Sequence, residues 1–155
     1  MSKPVIVFTN FWDAEKLVKM RHFFFWDDTT LYKIRLNPDP KNYSVQSIAL
    51  SHPPMERLPC LKADGSDLSR IDCFCPTYEL LAKYKDDGDW SSYIPEYISI
   101  LKRRKDRIVE WIDALKNDHV YILCCWENTS KKAHCHRSLI YDALRRSKTV
   151  RTSGM

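Results

Sequence analysis

Cys135, His136 and Arg137 stand in a row inside "KKAHCHRSLI", residues 131–140, just ahead of an apolar run. A cysteine at the first turn of a helix faces unpaired backbone N–H groups and the positive end of the helix dipole, which favour a thiolate. The imidazoles of His134 and His136 and the guanidinium of Arg137 act in the same direction. The same N–H groups with Arg137 would hold a phosphate or carboxylate equally well, and Cys135 would then only pack beneath the helix. These residue types fit a nucleophile, an anion cradle or an ordinary helix start.

Zinc is a further chemistry to weigh, because Cys73, Cys75, Cys124, Cys125, His134, Cys135 and His136 could supply ligands. Their spacing argues against it. There is no C-x-x-C, and Cys124 and Cys125 sit in an apolar run where successive side chains alternate between two packed faces. No metal ligand is therefore assigned, and no cofactor is identified. The cysteine-x5-arginine loop of phosphatases fails because Tyr141 occupies the arginine position. Neither glycine-rich nucleotide cradle is present.

Elements that position these residues can be read around them. "VIVFT" (5–9) and "HVYILCCW" (119–126) are continuous apolar runs, the pattern of strands buried on both faces. "WDAEKLVKMRHFFF" reads as a short helix with Asp13 as its cap. "TLYKIRL" reads as a strand ending near Arg35, stopped by "NPDP". Residues 41–76 mix prolines, turn residues and isolated apolar positions, as a long binding loop does. "PTYELLAKYKDDG" suggests a helix with Pro76 at its first position. Apolar residues at three- and four-residue spacing predict one long amphipathic helix over 93–116, and "HRSLIYDALRRS" predicts a final one.

Apolar strands separated by helices imply an α/β fold: a compact Rossmann-like sandwich with a mainly parallel sheet covered by helices on both faces. One domain is expected over 1–148, with 149–155 a flexible tail. Ligands of such sheets bind beyond the carboxyl ends of the strands. Parallel strands would bring Thr9, Asn10, Arg35, Trp126 and Glu127 to that edge, where Lys131, His134 and Cys135 follow from the last loop.

The chain has 155 residues, six cysteines and a formal net charge of +5, a surplus that favours anionic partners without choosing among them. "LKRRKDRIVEW" and "LRRSKTVR" could offer a nucleic-acid surface or be solvated helix faces. No run approaches the roughly 18 apolar residues of a membrane span. Without an export signal, a cytoplasmic location and reduced thiols are expected.

"YILCCWENTSKKAHCHRSLIYDAL" resembles the C-terminal signature of the domain of unknown function 488 (DUF488) family: a leucine- and cysteine-bearing strand, a glutamate, a polar loop, then Cys-His-Arg and a helix. Upstream, "VFTNFWDAEKL" is similar to the family's opening strand. "IRLNP" resembles its arginine-x-x-proline strand end, and "WSSYIPEYISIL" its tryptophan- and tyrosine-bearing helix entry. The resemblance points to Thr9, Arg35, Pro38, Tyr97, Glu127, Cys135, His136 and Arg137. Departures are Asn10 where serine is commoner, Trp126 before the glutamate, and a longer middle region around 58–75. It implies an α/β fold in a cytosolic protein and supplies a site without a reaction.

Three functions follow as expectations. In the first, Arg35 and Arg137 hold an anionic, nucleotide-like or nucleic-acid ligand with Thr9, Asn10 and Tyr97, Cys135 is nucleophile or thiolate, and His136 or Glu127 transfers protons. The second is a non-catalytic module binding nucleic acid or protein, and the third a metal-binding protein. The oligomeric state is left open.

Overall fold

The strand Val5–Asn10 (β1) is buried at all six positions, and so is Val120–Cys125 (β5). Alternate side chains of a strand point to opposite faces, so complete burial means that both faces of the sheet are covered. Burying one Val, Ile or Phe side chain stabilises the fold by about 1.5–3 kcal/mol, which makes these two runs the energetic centre of the core. The computed structural model describes residues 3–20, 23–26, 33–36, 43–61, 68–126, 134–147 and 149–154. β1 and β5 pair in parallel, Val5 opposite Val120 through Asn10 opposite Cys125. Tyr43–Ser47 (β4) adds to β5 and Arg151–Gly154 (β6) to β1, giving the all-parallel order β4-β5-β1-β6. The fold is α/β, with five helices among the described residues packed around this sheet.

Phe11–Met20 (α1) leaves β1 with no intervening loop and packs on β1 and β5. Its cap is Asn10 rather than the expected Asp13: Asp13 N–H donates to Asn10 Oδ1 at 2.9 Å, and the Asn10 amide donates back to Asp13 Oδ2 at 2.9 Å. Such reciprocal bonds satisfy donors that a helix start leaves open. Glu15 on α1 accepts the backbone N–H groups of Cys60 and Leu61 at 3.0–3.1 Å, fixing the 58–61 turn against the helix.

The expected strand through Arg35 exists, but outside the parallel sheet. Lys33–Leu36 (β3) pairs antiparallel with Phe23–Trp26 (β2) in a separate two-stranded ladder, Phe24 opposite Arg35. The three phenylalanines of "HFFF", expected to end the first helix, lie in a strand instead, as three successive aromatic residues favour. Antiparallel strands need only a short connection, whereas a parallel pair needs a dozen or more residues.

Tyr78–Asp87 (α2) starts after Thr77, whose hydroxyl accepts the Leu80 N–H at 3.2 Å, so Pro76 lies outside the helix instead of opening it. Gly88 ends it at φ 63°, in the left-handed region that suits glycine. The expected single helix over 93–116 is two, Trp90–Arg103 (α3) and Lys105–Asp113 (α4), broken at Arg104. Arg104 turns its guanidinium onto the carbonyls of Asp72, Cys73 and Cys75 at 3.2, 3.3 and 2.6 Å, at the 3-10 turn Asp72–Phe74. His136–Leu144 (α5) packs on β1 and β6. The segment 149–155, expected to be a flexible tail, supplies β6 through residues 151–154. Among the described residues no helix is long and apolar enough to cross a membrane.

Candidate functional site

The carboxyl ends of β1 and β5 lie side by side, Thr9 opposite Cys124 and Asn10 opposite Cys125. The start of α5 closes over them. Cys135 is its N-cap residue, in extended backbone (φ −146°, ψ 142°), and its side chain makes no cap hydrogen bond. The thiol turns inward instead: Cys135 Sγ is 2.8 Å from Cys125 Sγ and 3.7 Å from His136 Nδ1. His136 Nε2 lies 2.7 Å from the Ile48 carbonyl oxygen, which can only accept, so Nε2 carries the proton and Nδ1 of the neutral ring faces Cys135 as an acceptor. A thiol, a base and a carbonyl that orients the base form the arrangement that activates cysteine nucleophiles.

Arg137 is the largest of the fully buried side chains, 2% exposed. One guanidinium nitrogen, Nη1, donates to Cys125 Sγ at 3.3 Å, while the other, Nη2, has no partner among the described residues. The Thr9 hydroxyl is likewise buried and unpartnered. Each orphaned buried polar group costs about 1–3 kcal/mol, and native proteins rarely retain one without a role. A charged donor and a hydroxyl in this condition, on the two elements that frame the site, fit an anion.

The other thiols are differently placed. Cys124 is wholly buried, and burial pushes its thiol well above the usual range. Burial raises Cys75 to about 11 and also raises Cys73. Cys60 is raised chiefly by its hydrogen bond with Glu15. Buried thiols such as Cys73, Cys75 and Cys124 pack rather than react.

Of the residues singled out from the sequence, Cys135, His136 and Arg137 come together here around Cys125, whose thiol lies 3.8 Å from the Thr9 carbonyl oxygen. Asn10 is buried beside Thr9 with its amide engaged in capping α1. Tyr97 lies under the site: its hydroxyl donates to the Phe74 carbonyl at 2.6 Å and its ring meets His136 edge-on, 5.5 Å between centroids. Burial holds its phenol well above the usual value. His134 stacks flat on Trp90 at 4.8 Å, anchoring the approach to Cys135. Arg35 is a residue of the β2-β3 ladder, so the parallel-strand argument that brought it to this edge does not hold. Pro38, Glu127 and Lys131 lie outside the described residues.

Cys125, weighed from sequence as a zinc ligand and then as a packed strand residue, is a member of the site. Its signal was position: it ends the strand, at the edge where α/β sheets bind ligands, whereas Cys124 lies one residue deeper. Beside the site opens a cavity of about 330 Å³ whose walls include Leu50, Pro76, Leu81, Lys85, Trp126 and His136. The Trp126 indole N–H donates to the Ser51 carbonyl at 2.8 Å, fixing the ring at its wall. Among the described residues, no group of three or more His, Cys, Asp or Glu is placed to hold a metal ion.

No curated protein and no solved structure matches this chain. Residues 55–148, which carry α2 to α5, Cys125 and the whole Cys135–His136–Arg137 turn, match the family model described as the active DUF488-N3 subclade, and the chain belongs to that family.

Proposed function

We propose that the protein is an enzyme acting on an anionic, nucleotide-like substrate at the carboxyl edge of its parallel sheet. The observation that carries this is the buried Arg137 with a guanidinium nitrogen that has no partner among the described residues, on the same helix turn as a Cys135–His136 pair. Arg137 and the Thr9 hydroxyl bind the anion, supported by the first-turn N–H groups of α5. His136 Nδ1 takes the Cys135 proton, and the thiolate attacks the bound substrate. The adjoining cavity, with the Trp126 indole and the Lys85 ammonium on its walls, suits an aromatic base and a second negative charge. Glu127 is a second proton carrier and Arg35 a second anion ligand in this proposal.

The test is a panel of nucleoside phosphates with inorganic phosphate as control, followed by calorimetry and by product analysis. Binding and turnover that Arg137→Met removes, with turnover alone lost in Cys135→Ser, is the expected pattern. Undiminished turnover in Cys135→Ser removes the nucleophile. Binding without any turnover, lost in Arg137→Met, leaves a non-catalytic binding module.

A further inference from the structure

Cys125 and Cys135 are ten residues apart in sequence and stand with their sulfurs 2.8 Å apart, one at the end of β5 and the other at the start of α5. Two neutral thiols have no need of such proximity to pack. Around them the structure sets a polar line: Arg137 Nη1 on Cys125, Cys125 on Cys135, Cys135 on His136 Nδ1, and His136 Nε2–H on the Ile48 carbonyl. A cation at one end and a base at the other are the two devices that let thiols ionise and exchange bonds. His136, the base at the Cys135 end of the line, also borders the cavity beside the site.

We infer that Cys125 and Cys135 form a peroxide-sensitive dithiol that closes reversibly into a disulfide across the candidate site. His136 Nδ1 accepts the Cys135 proton, and the thiolate attacks one oxygen of hydrogen peroxide. An S–O bond forms, the O–O bond breaks, and the departing hydroxide leaves as water with the proton from His136. Cys135 is now a sulfenic acid. Cys125 then attacks that sulfur, its own proton leaving with the displaced hydroxide as a second water. Two thiols have lost two electrons, and one peroxide has been reduced to two waters. The sulfurs need to move by only about 0.8 Å to reach the roughly 2.05 Å of a disulfide bond. Dithiol reductants reverse the reaction by exchange.

This closure requires nothing of the substrate, but its consequence rests on the proposed function. It removes the nucleophile and ties the end of β5 to the start of α5, so the oxidised protein is inactive until reduced.

The experiment is mass spectrometry of the whole, anaerobically reduced chain after one equivalent of hydrogen peroxide. The expected result is loss of two hydrogens, with fragmentation placing the cross-link on Cys125 and Cys135 and not on Cys124, and full recovery on treatment with dithiothreitol. In Cys125→Ser the sulfenic acid should persist and be trapped by dimedone, while Cys124→Ser should cross-link as the unsubstituted protein does. A Cys135 inert to peroxide, or one in the unsubstituted protein that gains oxygen without losing two hydrogens, overturns the inference. Because mass is the readout, a disulfide in a protein that binds no phosphate compound would refute the proposed function and leave the dithiol standing.

Discussion

His136 Nε2 sits 2.7 Å from the Ile48 carbonyl, so a residue at the end of β4 fixes the tautomer of a base on α5. The carbonyl comes from backbone, and no side-chain substitution at 48 removes it. Substitution of His136 is the informative change. General-base assistance is worth about 100- to 10,000-fold when the proton is in flight. For a small alkylating agent, His136→Asn should slow modification of Cys135 at pH 7 by at least about tenfold, as measured by quenched mass spectrometry. An unchanged rate would deny His136 the role of base.

Arg137 should be worth more to binding than to folding. Its Nη2, without a partner among the described residues, carries a cost of about 1–3 kcal/mol, and replacing buried charge with a well-packed apolar side chain is often neutral or stabilising. Arg137→Met should therefore hold or raise the melting temperature without ligand. It should also abolish the rise that millimolar phosphate gives the unsubstituted protein. A strongly destabilised Arg137→Met protein would mean that the guanidinium is a structural strut.

Arg104 is the opposite case. It joins three carbonyls of the 72–75 turn to the break between α3 and α4. Hydrogen bonds to a charged group contribute about 1.5–3 kcal/mol. Arg104→Ala should lower stability by about 2 kcal/mol in urea denaturation. Arg104→Lys should recover less than half, since one ammonium cannot span the same carbonyls.

Alkaline stability should carry the mark of Cys75. Burial raises this thiol from 9.0 to about 11 in the folded protein. Between those values the unfolded chain releases the proton that the folded chain retains, so stability falls as pH rises through the window and is unaffected below it. The loss is on the order of 2 kcal/mol by pH 11. Cys124 and Tyr97, also raised by burial, act in the same direction. Cys75→Ser, which cannot ionise, should make the urea midpoint fall less steeply between pH 9 and 10.5 and match the unsubstituted protein's response from pH 7 to 8.5.

β1 and β5 were legible because strands buried on both faces must be apolar throughout, and "VIVF" and "VYILCC" are. "YSVQS" and "RTSG" were not, since edge strands borrow their order from the neighbour they pair with. β3 was legible but not its place: with "FFF" expected to end the first helix, nothing marked its partner, and the short segment between them fits only an antiparallel pair. Cys135, His136 and Arg137 were visible as a helix start. The thiol that Cys135 meets was hidden, because from sequence Cys125 is one apolar strand residue among several.

β1 stands between β5 and β6, and Val5 lies level with both Val120 and Arg151. Both neighbours of the first strand are thus synthesised long after it. An apolar strand emerging from the ribosome has no partner until most of the protein has followed, and the contacts that complete the sheet span nearly the full sequence. Long-range parallel pairing of this kind is slow and leaves unpaired strand edges open to aggregation in the interval. Assembly of this sheet therefore waits on the segments that carry β5 and β6, and β1 is the strand left longest without a neighbour.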